Sequence, residues 1–134
     1  MERIKSMVGQ KIAIYNNEQK VLLLKRGPQS IVSGVWDLPG GGILLNETPL
    51  ECLEREIMEE TGLHITGIQP IYTYAKTYAD GTHAFFIGYK GILDSSLEVI
   101  LSDEHDAYVR IDPKDIDMYK LTEYRAETVK RSMK

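Results

Sequence analysis

Three glutamates, Glu56, Glu59 and Glu60, stand at i, i+3 and i+4 inside the stretch Gly41 to Leu63, GGILLNETPLECLEREIMEETGL. On a helix turning about 100° per residue they fall within an arc of roughly 100°. Like charges at this spacing repel by a few tenths of a kcal/mol per pair, and Arg55 is the only basic residue between Glu47 and Glu60. A hard divalent cation relieves that repulsion, because carboxylate oxygens suit Mg²⁺ or Mn²⁺, and Mg²⁺ commonly completes its shell with waters and substrate phosphates. The plain alternative is an acidic helix face in solvent.

The elements needed to position these carboxylates are marked in the same stretch. Thr48-Pro49-Leu50-Glu51 supplies an N-cap, a proline at the first helical position and a glutamate at the third, and Gly62 falls where a left-handed residue ends a helix. Leu50, Leu53 and Ile57 form an apolar stripe beside the carboxylates, so one face reads as core and the next as acid. Upstream, Pro39-Gly40-Gly41-Gly42 lets the backbone approach a ligand closely. Asn46, just before Glu47, is a residue type that tolerates a left-handed conformation.

Counted along the chain, Gly41 is followed after five residues by Glu47, after seven more by Arg55-Glu56-Ile57, then by Glu59-Glu60 and Gly62-Leu63. At every constrained position this resembles the signature of the Nudix hydrolases. Seven fixed residue types at roughly 7% usage each match by chance about once in 10⁸ starting positions. Trp36-Asp37-Leu38-Pro39-Gly40 looks like the usual lead-in of that family.

The resemblance implies an α/β Nudix fold, with a mixed β-sheet sandwiched between helices, and a reaction in which water attacks a phosphorus of a nucleoside diphosphate derivative. It implies Glu56, Glu59 and Glu60 as ligands of Mg²⁺ or Mn²⁺, the Gly40 carbonyl as a further donor, and Glu47 in the outer shell. Arg55, about 100° around the helix from Glu56, is placed to orient carboxylates such as Glu47. Glu56 and Glu104 compete for the role of general base, with Glu98 the rival of Glu104 as the loop carboxylate. Arg26, Gly41 and Tyr74 are the candidates for substrate contact, Arg26 because a guanidinium at a strand end reaches phosphate bidentately.

Three functions are weighed. The first is hydrolysis of nucleoside triphosphates to monophosphate and pyrophosphate, favoured because the chain reads as a minimal core. The second is cleavage of ADP-ribose, a nucleotide sugar or a dinucleoside polyphosphate; relatives acting on ADP-ribose tend to carry a proline about fifteen residues past the signature, where this chain has Tyr78. The third is nucleotide binding without cleavage, which the retained Glu56, Glu59 and Glu60 argue against.

The 134 residues suit one domain spanning 1–134, and the apolar and charged fractions, 43% and 27%, are those of a globular protein. No signal-peptide core or membrane-length apolar run is present, so a cytoplasmic protein without a membrane partner is expected. The net charge of −4 and the lack of a basic stripe speak against nucleic acid as a partner. A homodimer is common in the family, and nothing in the sequence fixes that state. Cys52 is the only cysteine, reads as structural beside the glutamates, and excludes an internal disulfide. His64, His83 and His105 are scattered without zinc-ligand spacing.

Val8 to Tyr15 and Val21 to Leu24 read as an antiparallel pair turning at Asn16 to Gln19, the second strand apolar on both sides and hence covered on both faces. Ile65 to Tyr78 and Thr82 to Ile92 flank Asp80-Gly81, a hairpin signal; a two-residue turn would pair Tyr78 with His83, Lys76 with Phe85 and Tyr74 with Ile87. Tyr72, Tyr74, Lys76 and Tyr78 would share a face, with the tyrosines as cross-strand pairs or stacking platforms for a base. Trp36 reads as a core or loop anchor. Ala107 to Ile111 reads as a short strand, Asp112-Pro113 as the start of a helical turn, and Thr122 to Lys134 as a covering helix burying Ala126, Val129 and Met133.

Overall fold

The structure is a computed structural model and describes residues 1–28, 34–94 and 98–134. In chain order it has β1 (Ser6–Tyr15), β2 (Val21–Arg26), β3 (Trp36–Asp37), β4 (Gly40–Gly42), α1 (Pro49–Thr61), β5 (Ile65–Thr77), β6 (His83–Leu93) and β7 (His105–Ile111). A 3-10 turn (Pro113–Met118) and α2 (Glu123–Ser132) follow. The strands form one mixed sheet in the order β3-β2-β1-β6-β5, with β4 added to β1 and β7 to β2. β1 and β6 run parallel along ten residue pairs, whereas the remaining pairings are antiparallel.

Alternation along the central strands creates two cores. Ile12, Ile14, Leu22 and Leu24 point to one face, where they meet Leu53 and Ile57 of α1 together with Leu63 and Tyr89. Ala13, Tyr15, Val21 and Leu23 point to the other, against Ile116 and Val129. The doubly apolar strand expected from the sequence is thus covered on both faces, and helices lie on both sides of a mixed sheet.

β1 and β2 share only the pair Tyr15 and Val21 beside the tight turn, where Asn16 Oδ1 accepts from the amides of Glu18 and Lys20. Beyond it they part. β3 pairs with β2 at Leu24 and Lys25, while β4 pairs with β1 at Gly9, Gln10 and Lys11. This fork opens the sheet where the glycine-rich segment passes. Gly40 sits there at φ 136°, and a Cβ would lie 2.0 Å from the Gln10 carbonyl oxygen, so no other residue fits.

α1 has the ends its sequence specifies. Thr48 Oγ1 accepts from the Glu51 amide, Glu51 Oε1 accepts from the Thr48 amide, and Gly62 closes the helix at φ 70°. Asn46 takes the left-handed conformation at φ 66°. Leu53 and Ile57 are buried, but Leu50 is 52% exposed because the first turn extends past the apolar layer. Cys52, Glu60 and Thr61 are buried instead. Glu60 lies about 20° from Leu53 around the helix, so it belongs to the inward face. Leu53→Ala is expected to destabilise by about 2–5 kcal/mol, since Leu53 is fully buried between α1 and the sheet; an unchanged denaturation midpoint would contradict that packing.

Two expectations need correction. Tyr78 N–H donates to Thr82 O and Gly81 N–H to Tyr78 O, so the hairpin has a three-residue loop with Gly81 at φ 89°. The register therefore moves by one: Thr77 faces His83, Lys76 faces Ala84 and Tyr74 faces Phe86. On α2 the buried residues are Tyr124, Thr128, Val129 and Ser132, whereas Met133 is 44% exposed. Thr128 fits a notch at Gly88, where a Cβ would meet its Oγ1 at 2.4 Å. Its hydroxyl and that of Ser132 donate to the Tyr124 and Val129 carbonyls, so both polar groups are buried satisfied.

Candidate active site

The fork between β1 and β2 is the floor of a cleft of about 590 Å³, within the range of small-molecule sites. Glu56 and Glu60 of α1 line one wall, and Glu104 and His105 enter from the β7 side. Lys11, Arg26 and Arg125 supply positive charge, while Met7, Phe86 and Tyr124 form an apolar end.

Glu60 is 4% exposed and accepts the Gly40 amide hydrogen at 2.8 Å. Burial raises its carboxyl to about 7, against the pull of Lys11 and this amide; Glu56 and Asp37 add to the rise. Glu56 is also raised, first by burial, with Arg55 opposing. Gly41 leaves room for it, because a Cβ there would stand 2.5 Å from the Glu56 carboxyl carbon.

Arg55 gathers the outer carboxylates. Its Nε donates to Glu47 Oε2 at 2.6 Å and its Nη1 to Glu56 Oε1 at 3.0 Å and Glu59 Oε2 at 3.2 Å. Glu47 in turn accepts the Leu44 amide at 3.0 Å, which ties the loop before α1 to the helix. Arg55, Glu47 and Glu59 lie outside the cleft lining, and the Glu59 side chain is 58% exposed. Cys52 is buried with its thiol 3.4 Å from the Gly42 carbonyl, and burial raises its pKa, as a packing residue requires.

The lead-in aspartate gathers the cations of the cleft. Asp37, 1% exposed, pairs with Lys11 at 3.2 Å, with Arg26 at 2.8 Å and with Arg125 Nε. Burial opposes its ionisation, but the three cations outweigh that and hold the carboxyl at about 2. Lys11 also donates to the Gly40 carbonyl at 3.3 Å.

Of the residues singled out from sequence, Arg26, Gly40, Gly41, Glu56, Glu60 and Glu104 meet at the cleft. Glu98 is exposed away from it. Tyr74 is behind the cleft, stacked on Phe86 at 6.1 Å and Tyr124 at 6.2 Å, so the ring facing the cavity is Phe86. Trp36 packs edge-on against Tyr119 as an anchor. Lys11, Asp37, Phe86, Tyr124 and Arg125 escaped the sequence reading. One signal was visible: Gln10 and Lys11 interrupt an otherwise apolar strand, and both are buried. The three histidines stay apart, but one ring nitrogen of His105 lies within 4.8 Å of ligand oxygens of Glu60 and Glu104, which the sequence reading missed.

Carboxylates and cations thus meet in one cleft over a floor built of glycines. The NUDIX domain model matches residues 5–132, and the chain belongs to that family, a hydrolase acting on acid anhydrides in nucleotide substrates. It is 34% identical over 76 residues to an 8-oxo-dGTP diphosphatase of Proteus vulgaris, covering 55% of this chain and 68% of the relative. It is 41% identical over 76 residues to the nucleoside triphosphatase NudI of Enterobacter sp. (strain 638), covering 52% and 53%. The match thus spans from about half to two thirds of these curated relatives. The crystal structure of a MutT protein from Methanosarcina mazei Go1 superposes with a TM-score of 0.82 at 26% identity, covering 99% of this chain and 96% of that one.

Proposed function

We propose that the chain, acting as one domain over residues 1–134, hydrolyses nucleoside triphosphates to monophosphate and pyrophosphate in the cytoplasm, with Mg²⁺ or Mn²⁺. The observation that carries this reading is the convergence of Glu56, Glu60 and Glu104 on a cleft that Lys11, Arg26 and Arg125 also line. The two similar proteins with diphosphatase and triphosphatase names support the substrate class.

The donor set fits a hard divalent ion: several carboxylate oxygens and a glycine carbonyl around a partly dry cavity. Glu60 and Glu104 would hold it, with the Gly40 carbonyl beside them and Glu56, Glu59 and Glu47 kept in place around them through Arg55. When bound, such an ion neutralises phosphate charge and acidifies water. The chain's own residues do the rest. Arg26 and Arg125, anchored on Asp37, present positive charge to the phosphates. Phe86 lies over Gly9, where a Cβ would meet its ring at 3.0 Å, and with Met7 offers an apolar surface for the base. Either Glu56 or Glu104 takes the proton of the attacking water.

The test is a panel of nucleotides with Mg²⁺, products separated by ion exchange. Monophosphate plus pyrophosphate from a triphosphate supports the proposal. Turnover confined to ADP-ribose, nucleotide sugars or dinucleoside polyphosphates would replace it with the second activity weighed from sequence, and binding without turnover would remove catalysis altogether.

A further inference from the structure

His105 opens β7 directly after the Ser102 to Glu104 turn. The turn is pinned at both ends: His105 N–H donates to Ser102 O at 3.3 Å, and Gly27 N–H donates to Glu104 O at 3.0 Å. β7 itself carries the bulge: Ala107 faces Lys25 and His105 faces Arg26 on β2, which leaves Asp106 without a partner in the register. Bulges of this kind re-aim a side chain beside a site.

The imidazole that results is 94% buried, and its Nδ1 is the one buried side-chain nitrogen or oxygen without a hydrogen-bond partner among the described residues. Buried polar atoms are nearly always satisfied, so this ring is one partner short, a place that a water or a ligand fills. A ring nitrogen of His105 and carboxylate oxygens of Glu60 and Glu104 all lie within 4.8 Å of one another. Glu56 and Glu59 differ in that each already accepts from the Arg55 guanidinium.

We propose that His105 donates an imidazole nitrogen to the divalent cation held by Glu60 and Glu104, making this a mixed nitrogen and oxygen site that favours Mn²⁺ over Mg²⁺. The inference rests on the reading of the cleft as a cation site and deepens it. Mg²⁺ takes oxygen ligands and keeps its waters, whereas first-row transition ions accept imidazole readily. His105 would therefore shift the choice of ion more than the strength of binding in general.

The experiment uses tag-free protein of residues 1–134 with ¹⁵N-labelled histidine, loaded with Mn²⁺ and examined by pulsed EPR, alongside calorimetric titration with Mn²⁺ and Mg²⁺. The expected result is a ¹⁵N coupling to Mn²⁺ that disappears in His105→Asn. That variant should bind Mn²⁺ at least about tenfold more weakly, with less than about threefold change for Mg²⁺. Because a buried position can resist substitution, a second protein carrying His64→Gln and His83→Gln leaves His105 as its only histidine. His64 pairs with Asp94 and His83 with Thr77, so neither contributes to the cleft. Coupling retained there assigns the nitrogen without touching His105. Mn²⁺ bound with no histidine coupling overturns the nitrogen ligand while leaving the cation site standing; no uptake of Mn²⁺ at all overturns both.

Discussion

Glu60→Gln should lower turnover by at least about a hundredfold while making the metal-free protein more stable at neutral pH. The two effects have one origin. Burial raises the Glu60 carboxyl from 4.5 to about 7, so the folded state holds a proton that the unfolded chain has released. The destabilisation is absent below about pH 4.5, grows as pH rises to about 7 and is complete above it. A shift of this size corresponds to roughly 3 kcal/mol, and the variant should recover about 1–3 kcal/mol of it because Gln still accepts the Gly40 amide hydrogen. Denaturant titrations in EDTA from pH 4 to 8 read the effect directly. Curves for the two proteins that stay parallel across that range would show that Glu60 ionises at no cost to the fold.

Asp37→Asn is the opposite case, with an expected loss of about 3–5 kcal/mol, because Lys11, Arg26 and Arg125 would share one buried neutral amide. The sign with pH also reverses. The Asp37 carboxyl is held at about 2 in the fold against an ordinary 3.8, so its contribution is full above about pH 4 and fades as pH falls towards 2. The gap between wild type and variant should therefore narrow by roughly 2 kcal/mol as pH falls from about 4 to about 2. A loss under about 1 kcal/mol at pH 7 would mean that water satisfies the three cations as well as Asp37 does.

Much of this site was legible because it lies in one contiguous piece of chain. The caps of α1, the glycine floor and the arc of glutamates are local facts, and local physics places them. The cluster of cations was not legible in that way. Lys11, Asp37 and Arg125 come from three separate segments, and their meeting depends on how β1 and β2 part and on where α2 lands. The same limit explains Glu60. Its spacing from Leu53 already set it on the inward face, but only the packing of α1 on the sheet shows that Lys11 and a backbone amide await it there. Tyr74 and Phe86 illustrate register: a hairpin loop one residue longer than the shortest turn changes which residue faces which across the strands.

Tyr124 and Arg125 come from the last helix, yet they close a cleft whose floor is laid down by β1 and β4. A nascent chain still short of residue 123 would carry the whole glutamate signature and have no finished pocket. During synthesis Asp37 and Lys11 would wait for Arg125 to emerge from the ribosome, so the cleft is completed by α2 and not by the motif that supplies its carboxylates.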